Sequence, residues 1–360
     1  MKTIFITILS AAILIASCKK NEHEMTPSTP VLSINYPAAY VVNGESNTIS
    51  IIRLSDNTVS ETIKLGEMSD PNHGGMNMTT GISWPHHIYI NSSKTQLAIG
   101  VPGMDLSGGH TGGMMAMTGK IAIVDAVTGV ITKIIDLPVS NHNAIFSPNG
   151  SEIWTSQMQE MGEVLVYDAV TYTLKSTIHV KMDPAEVTFS FDGSMAFIAN
   201  GGSDTVTVIS VSDKMVKGQI KVGDDPVGAW TGADGNMYVD NEVGQSITVI
   251  KVSDMSVIAT IALGFMPGIA AYNNVMSELW VTDPDNGKTH WYTKSGTTYT
   301  HGGEFVTGAG AHAIAFSADG MTAYITNQSA NSVSVADVMN HAETKEISVG
   351  TKPNGITLKY

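Results

Sequence analysis

Histidine and methionine are unevenly distributed in this chain, in a pattern suited to holding metal. His73-Gly-Gly-Met76-Asn-Met78 and His110-Thr-Gly-Gly-Met114-Met115-Ala-Met117 each set an imidazole a few residues from thioethers on a glycine-rich backbone. Seven of the 20 methionines, Met68, Met76, Met78, Met104, Met114, Met115 and Met117, fall within 67–85 and 101–119. Their neighbours are mostly Gly, Asn, Thr and Ser, whereas a core methionine fills gaps between apolar side chains. Thioether sulfur is a soft donor that selects Cu(I), and imidazole accepts Cu(I), Cu(II) and Zn(II), so copper is the metal that uses both. Glycines let such a loop wrap an ion without obstruction. Flexible loops with incidental methionine, or a sink for oxidants, are the plainer alternative.

The elements that carry these loops are repeats. Tyr40-Val-Val-Asn43, Leu97-Ala-Ile-Gly100, Ile153-Trp-Thr-Ser156, Phe197-Ile-Ala-Asn200, Tyr238-Val-Asp-Asn241, Trp280-Val-Thr-Asp283 and Tyr324-Ile-Thr-Asn327 start 57, 56, 44, 41, 42 and 44 residues apart. The last four intervals set the period, and the first two carry the Met- and His-rich surplus. The unit after Ala185 reads as four short strands, 187–189, 195–200, 205–211 and 216–222, with apolar alternation, β-branched residues and Gly, Asp, Ser and Asn at the breaks. Four strands in about 42 residues is the signature of a propeller blade. AFIANGGSDTVTVISVSD, MYVDNEVGQSITVIKVSD and AYITNQSANSVSVADV resemble the YVTN repeats of YncE-like β-propellers across residues 38–360. That resemblance implies the fold strongly and an activity weakly, because one scaffold hosts many functions. The expected class is all-β: a seven-bladed β-propeller of four-stranded antiparallel blades over 37–360. Lys352-Pro-Asn-Gly-Ile-Thr-Leu358 matches a first strand that the Tyr40 unit lacks, so pairing of the terminal strands is expected to close the ring.

In such a ring the links from fourth strand to next first strand, and from second strand to third, emerge on one face. Both insertions are of these types. Aligning 88–90, 144–146 and 314–316 as first strands makes His86, His142 and His312 equivalent, converging on the axis, with His87 beside His86. Met158 and Met161 lie in a second-to-third link on the same face. The candidate ligands are therefore His73, Met76, Met78, His86, His87, Met104, His110, Met114, Met115, Met117, His142, Met158, Met161 and His312. The axial histidines could equally bond channel water or neighbouring blades. Pro85-His86-His87 in a seven-bladed ring is similar to the histidine-lined propeller of nitrous oxide reductase. That enzyme needs more histidines and a cysteine-rich electron-entry domain, so its reaction is rejected. His179, His290, His301 and His341 fall near outer strands and turns and are expected to be solvated or structural.

Residues 1–17 combine a basic start at Lys2 with a short apolar run, as in a cleaved export signal. Ile15-Ala-Ser-Cys18 resembles a bacterial lipobox, which implies lipidation of Cys18, the chain's one cysteine. Residues 18–36 then form the lipidated start and a flexible tether. A lysine after Cys18 resembles outer-membrane sorting, with periplasmic or surface exposure open. Net charge is −14, or −15 once Lys2 is removed, and Arg53 is the lone arginine. Nucleic acid, which needs a basic face, is excluded as a partner. The membrane is met through the lipid alone. With no activated nucleophile, cofactor fingerprint or paired carboxylates, the expected role is non-enzymatic capture, buffering or delivery of copper in the envelope, Cu(I) above Cu(II). A scaffold for an envelope protein or glycan is the alternative. An axial active site using Glu186, Asp183 and His142 is a further one.

Overall fold

The computed structural model describes residues 32–69, 77–107 and 117–360. Within them, seven four-stranded antiparallel sheets form a ring, accompanied by one short hairpin that pairs Glu67–Ser69 with Asn77–Thr79. Six sheets take their strands in chain order. The exception is blade one, ordered Thr58–Lys64, Thr48–Arg53, Ala38–Asn43 and then Pro353–Lys359. Tyr40 there faces Thr357, and Val41 faces Ile356. The expected closure by the two ends of the domain is therefore present. The export signal, Cys18 and most of the tether lie outside the described residues.

Burial explains the strand sequences. Second and third strands such as Met195–Asn200 (MAFIAN) and Thr205–Ser210 (TVTVIS) are buried almost throughout, because a neighbouring blade covers each face. Fourth strands such as Val216–Lys221 (VKGQIK) lie on the rim and bury essentially one residue. Apolar clusters join each blade to the next. Tyr40, Ile49 and Ile51 of blade one meet Ile88, Leu97 and Ile99 of blade two. The circle completes where Tyr324, Val333 and Val335 of blade seven meet Ala39, Val41 and Ile52 of blade one. The stabilising apolar burial thus lies between blades, and no blade has a core of its own.

The second strands show what the repeat motif is for. All seven have six residues, ending at Asn43, Val101, Gln157, Asn200, Asn241, Asp283 and Asn327. The register of blades two and three is therefore Ala98–Val101 and Trp154–Gln157, one residue later than the motif alignment places it. Small residues at Gly100 and Ser156 imitate the motif's end. Where the last residue is asparagine, its amide ties the second strand to the third. Asn241 Nδ2 donates to Ser246 Oγ and Thr248 Oγ1, each at 3.1 Å, and Asn43 Nδ2 reaches Thr48 Oγ1 and Ser50 Oγ at 3.0 Å. The motif asparagine is thus a latch inside the blade. Asn241→Ala is expected to lower stability by about 1–3 kcal/mol, the cost of stripping buried hydroxyls of their donor. Urea unfolding with an unchanged slope would register it.

Candidate metal centre

Sheet register identifies the axial positions. The first-strand residues opposite the second residue of each second strand are Ile90, Phe146, Phe189, Thr231, Tyr272, Phe316 and Leu358. Four positions earlier stand His86, His142, Ala185, Val227, Gly268, His312 and Asn354. Three of the seven equivalent places therefore hold histidine, in blades two, three and seven, and His87 adds a fourth imidazole.

The fold brings these rings together. Ring centroids lie 4.5 Å apart for His86 and His87, 4.5 Å for His86 and His142, and 5.0 Å for His87 and His142. His312 stands 6.0 Å from His86 and 5.8 Å from His87. His86, His87 and His142 are buried, and each offers a nitrogen within 4.8 Å of the others. Backbone contacts fix them in place. His86 N–H donates to Gly100 O at 2.9 Å, and Gly100 N–H donates to His87 O at 3.1 Å. A Cβ on Gly100 would stand 2.6 Å from Asn143 Cα, so only glycine lets the segment carrying His142 approach blade two this closely. Trp84, just before Pro85-His86, has φ of 53°, an uncommon conformation for a large residue, and its N–H is held by Asn47 Oδ1 at 2.9 Å.

Behind the rings lies Glu186 of blade four, fully buried. Its Oε2 is 2.6 Å from His142 Nδ1, and its Oε1 accepts Tyr89 O–H at 2.5 Å and Asn143 Nδ2–H at 2.7 Å. Burial, with the adjoining Glu186 charge, pushes the Tyr89 phenol well above its ordinary range, so it remains a donor. A carboxylate against Nδ1 orients the His142 ring, as outer carboxylates orient metal-binding imidazoles. Metal–nitrogen bonds of about 2.0–2.1 Å set donors about 3.4 Å apart in a tetrahedron, and the three nitrogens here lie within 4.8 Å of one another. The donor set fits a first-row ion that accepts neutral imidazole.

A cavity of about 40 Å³ adjoins the rings, bounded by His86, His87, His142, His312, Leu106, Ser107, Trp230, Glu242, Met266 and Gln328. Trp230 lies 6.0 Å from His87, and its indole N–H donates to Asp240 Oδ1 at 2.5 Å. Burial, together with the nearby Glu242 charge, raises the Asp240 carboxyl well above its ordinary range.

The methionines divide. Met104 lines a small hollow with Trp84, Pro85 and His86 at the edge of the centre. Met158 is buried, while Met117 and Met161 are exposed, Met161 by 77%. Met78 lies opposite Met68 in the backbone register of the hairpin. His73, Met76, His110, Met114 and Met115 lie outside the described residues. Tyr89, Asn143 and Trp230 escape a reading of the sequence, since Tyr89 and Trp230 look like ordinary strand filling and Asn143 like a turn residue. Glu186 is noticed there only as an acid near the opening, although a carboxylate inside Pro184–Phe189, a strand buried throughout, marks a position that needs a partner.

No known sequence family and no curated protein matches the chain. Solved structures do. A functionally unknown protein from Desulfotomaculum acetoxidans is 13% identical with a TM-score of 0.70, covering 90% of this chain and 99% of its own. The periplasmic gluconolactonase of Pseudomonas aeruginosa is 14% identical with a TM-score of 0.67, covering 90% and 99%. A Bacteroides fragilis protein with a proposed 6-phosphogluconolactonase activity is 13% identical, also at 0.67, covering 93% and 100%. At such identities the likeness concerns the fold. It nonetheless corrects the expectation of a non-enzymatic protein, because the same ring, matched over its whole length, serves proteins named as lactonases. The lack of a nucleophile motif has no force on a scaffold whose axial side chains come from separate blades. Among the described residues no helix is long and apolar enough to cross a membrane.

Proposed function

We propose that this chain is an exported, lipid-anchored propeller of the YVTN type that binds a copper ion at the mouth of its axial channel. The observation that carries the reading is the buried set of His86, His87 and His142, with His142 oriented by Glu186. Neutral imidazoles suit both copper oxidation states. Met104 at the edge of the centre, and the Met- and His-rich segments 67–85 and 101–119, supply soft donors for capture and hand-over of Cu(I). Cys18 is the anchor, and the setting is the bacterial envelope, at the outer membrane.

The adjoining cavity favours a second use of the same centre. Ser107, Trp230 and Glu242 line it beside the imidazoles, polar groups suited to a polar substrate, and lactones are the class indicated by the neighbours' names. In that use the ion would polarise a carbonyl. The protein's part is to orient His142 through Glu186 and to keep the rings buried.

Both uses depend on the orienting carboxylate. In an anaerobic titration against a chromogenic Cu(I) chelator, a soluble form starting at residue 19 should bind one ion tightly, and Glu186→Gln should weaken binding by about 10–100-fold. Equal affinity in the two proteins sinks the assignment. Assaying lactone hydrolysis on the same metal-loaded samples separates cargo binding from catalysis.

A further inference from the structure

Blade six departs from the latch described above, and it does so at both ends of the bond. In blades one, four, five and seven the motif asparagine donates to a Ser or Thr seven residues later, as Asn200 does to Thr207 at 3.1 Å and Asn327 to Ser334 at 2.9 Å. In blade six the pair is Asp283 and His290. The Asp283 Oδ2 atom faces His290 Nε2 at 3.4 Å and also accepts Asn286 Nδ2–H at 2.8 Å. An imidazole bound to a carboxylate through one nitrogen presents the other to its surroundings. Here the other is Nδ1, which stands 3.1 Å from His301 Nε2 and 3.5 Å from Glu304 Oε2.

We propose that His290, His301 and Glu304 form a second metal site, separate from the axial centre, for a zinc-like divalent cation. Two imidazoles and a carboxylate are a known zinc donor set, and bonds of about 2.0–2.1 Å require tetrahedral edges of about 3.3–3.5 Å. The two edges at His290 Nδ1 fall at or close to that range, and all three donor atoms lie within 4.8 Å of one another. The backbone explains how residues 301 and 304 come to share a face. Three positions apart on a regular strand they would point to opposite sides. A bulge places Gly303 opposite Trp291 and His301 opposite Tyr292, so Gly302 is the extra residue and His301 is returned to the side of Glu304. Lys288 Nζ holds Glu304 Oε1 at 2.5 Å, leaving Oε2 turned to His290. The Phe265 ring stacks on His290 at 4.3 Å and fixes its plane. His301 borders a surface hollow shared with Tyr292 and Tyr299, which gives an ion a route in.

The test compares the purified protein with a His301→Ala, Glu304→Gln variant. Both residues are exposed, so the ring should persist, which circular dichroism melting checks. Zn(II) alone is titrated against a chromophoric chelator. The parent should take up one more equivalent than the variant, with affinity for that equivalent reduced at least about 100-fold by loss of two of its three ligands. Equal stoichiometry in the two proteins, whether both bind zinc or neither does, overturns the proposal. The axial histidines are the same in both samples, so failure here is distinguishable from failure of the copper reading.

Discussion

Deleting Pro353–Tyr360 is expected to abolish the native state of the whole propeller, leaving a chain without a cooperative melting transition and prone to aggregate. Pro353–Lys359 is the innermost strand of blade one, and its removal strips Ala38–Asn43 of one complete ladder of hydrogen bonds. Ala39, Val41 and Ile52 then lose Ile356 and Leu358 from the cluster they share with blade seven. Blade seven also loses a polar tie, because Thr326 Oγ1 donates to Asn354 O at 2.7 Å. The exposed edge is an uncapped, apolar template for pairing with other chains. Since the burial is distributed between blades, breaking one junction leaves no independently stable remainder of the closed ring. Size-exclusion chromatography and thermal melting of the truncated chain decide the matter. A monomer that melts like the parent would show that closure contributes little.

The second large effect concerns metal. Replacing His86 and His87 together by alanine should lower Cu(I) affinity by at least about 1,000-fold, because two of the three imidazoles in the buried His86, His87 and His142 set are lost. His142 is retained in this variant so that Glu186 keeps the imidazole 2.6 Å from its Oε2, along with Tyr89 and Asn143. Competition titration with a chelator of known affinity provides the readout, and melting curves confirm folding. Affinity within a few fold of the parent would relocate copper binding to the methionine-rich segments and remove the axial centre from the account.

Much of the scaffold is legible in the chain because strand alternation, turn residues and a constant period repeat seven times and reinforce one another. The terminal strand is legible for the same reason, since Lys352–Leu358 matches a first strand that blade one otherwise lacks. The register of blades two and three is not, as Gly100 and Ser156 sit where a small motif residue is expected while the latch position itself holds Val101 and Gln157. The convergence of His86, His142 and His312 follows from alignment of first strands. The carboxylate behind His142 does not, because Glu186 comes from the next blade at the place after Ala185, and only the packing of adjacent first strands shows that it reaches across. His290 and His301 look like rim residues for a similar reason. Eleven positions separate them in sequence, and the bulge that gives them a common face has no signature beyond a pair of glycines.

The latch has a consequence for motion. Blades two and three, which carry His86, His87 and His142, end their second strands in Val101 and Gln157; Val101 has no side-chain amide to donate, and Gln157 Nε2 donates instead to the neighbouring Ser156 O at 2.9 Å. Their second and third strands are therefore held by the ladder and by apolar contacts, without the side-chain clasp found in blades one, four, five and seven. Sub-global opening follows the least restrained segments. Fluctuations should concentrate at the imidazole-bearing side of the mouth while the remainder of the circle stays shut, so that solvent reaches the buried nitrogens through a local breathing step rather than through loosening of the entire ring.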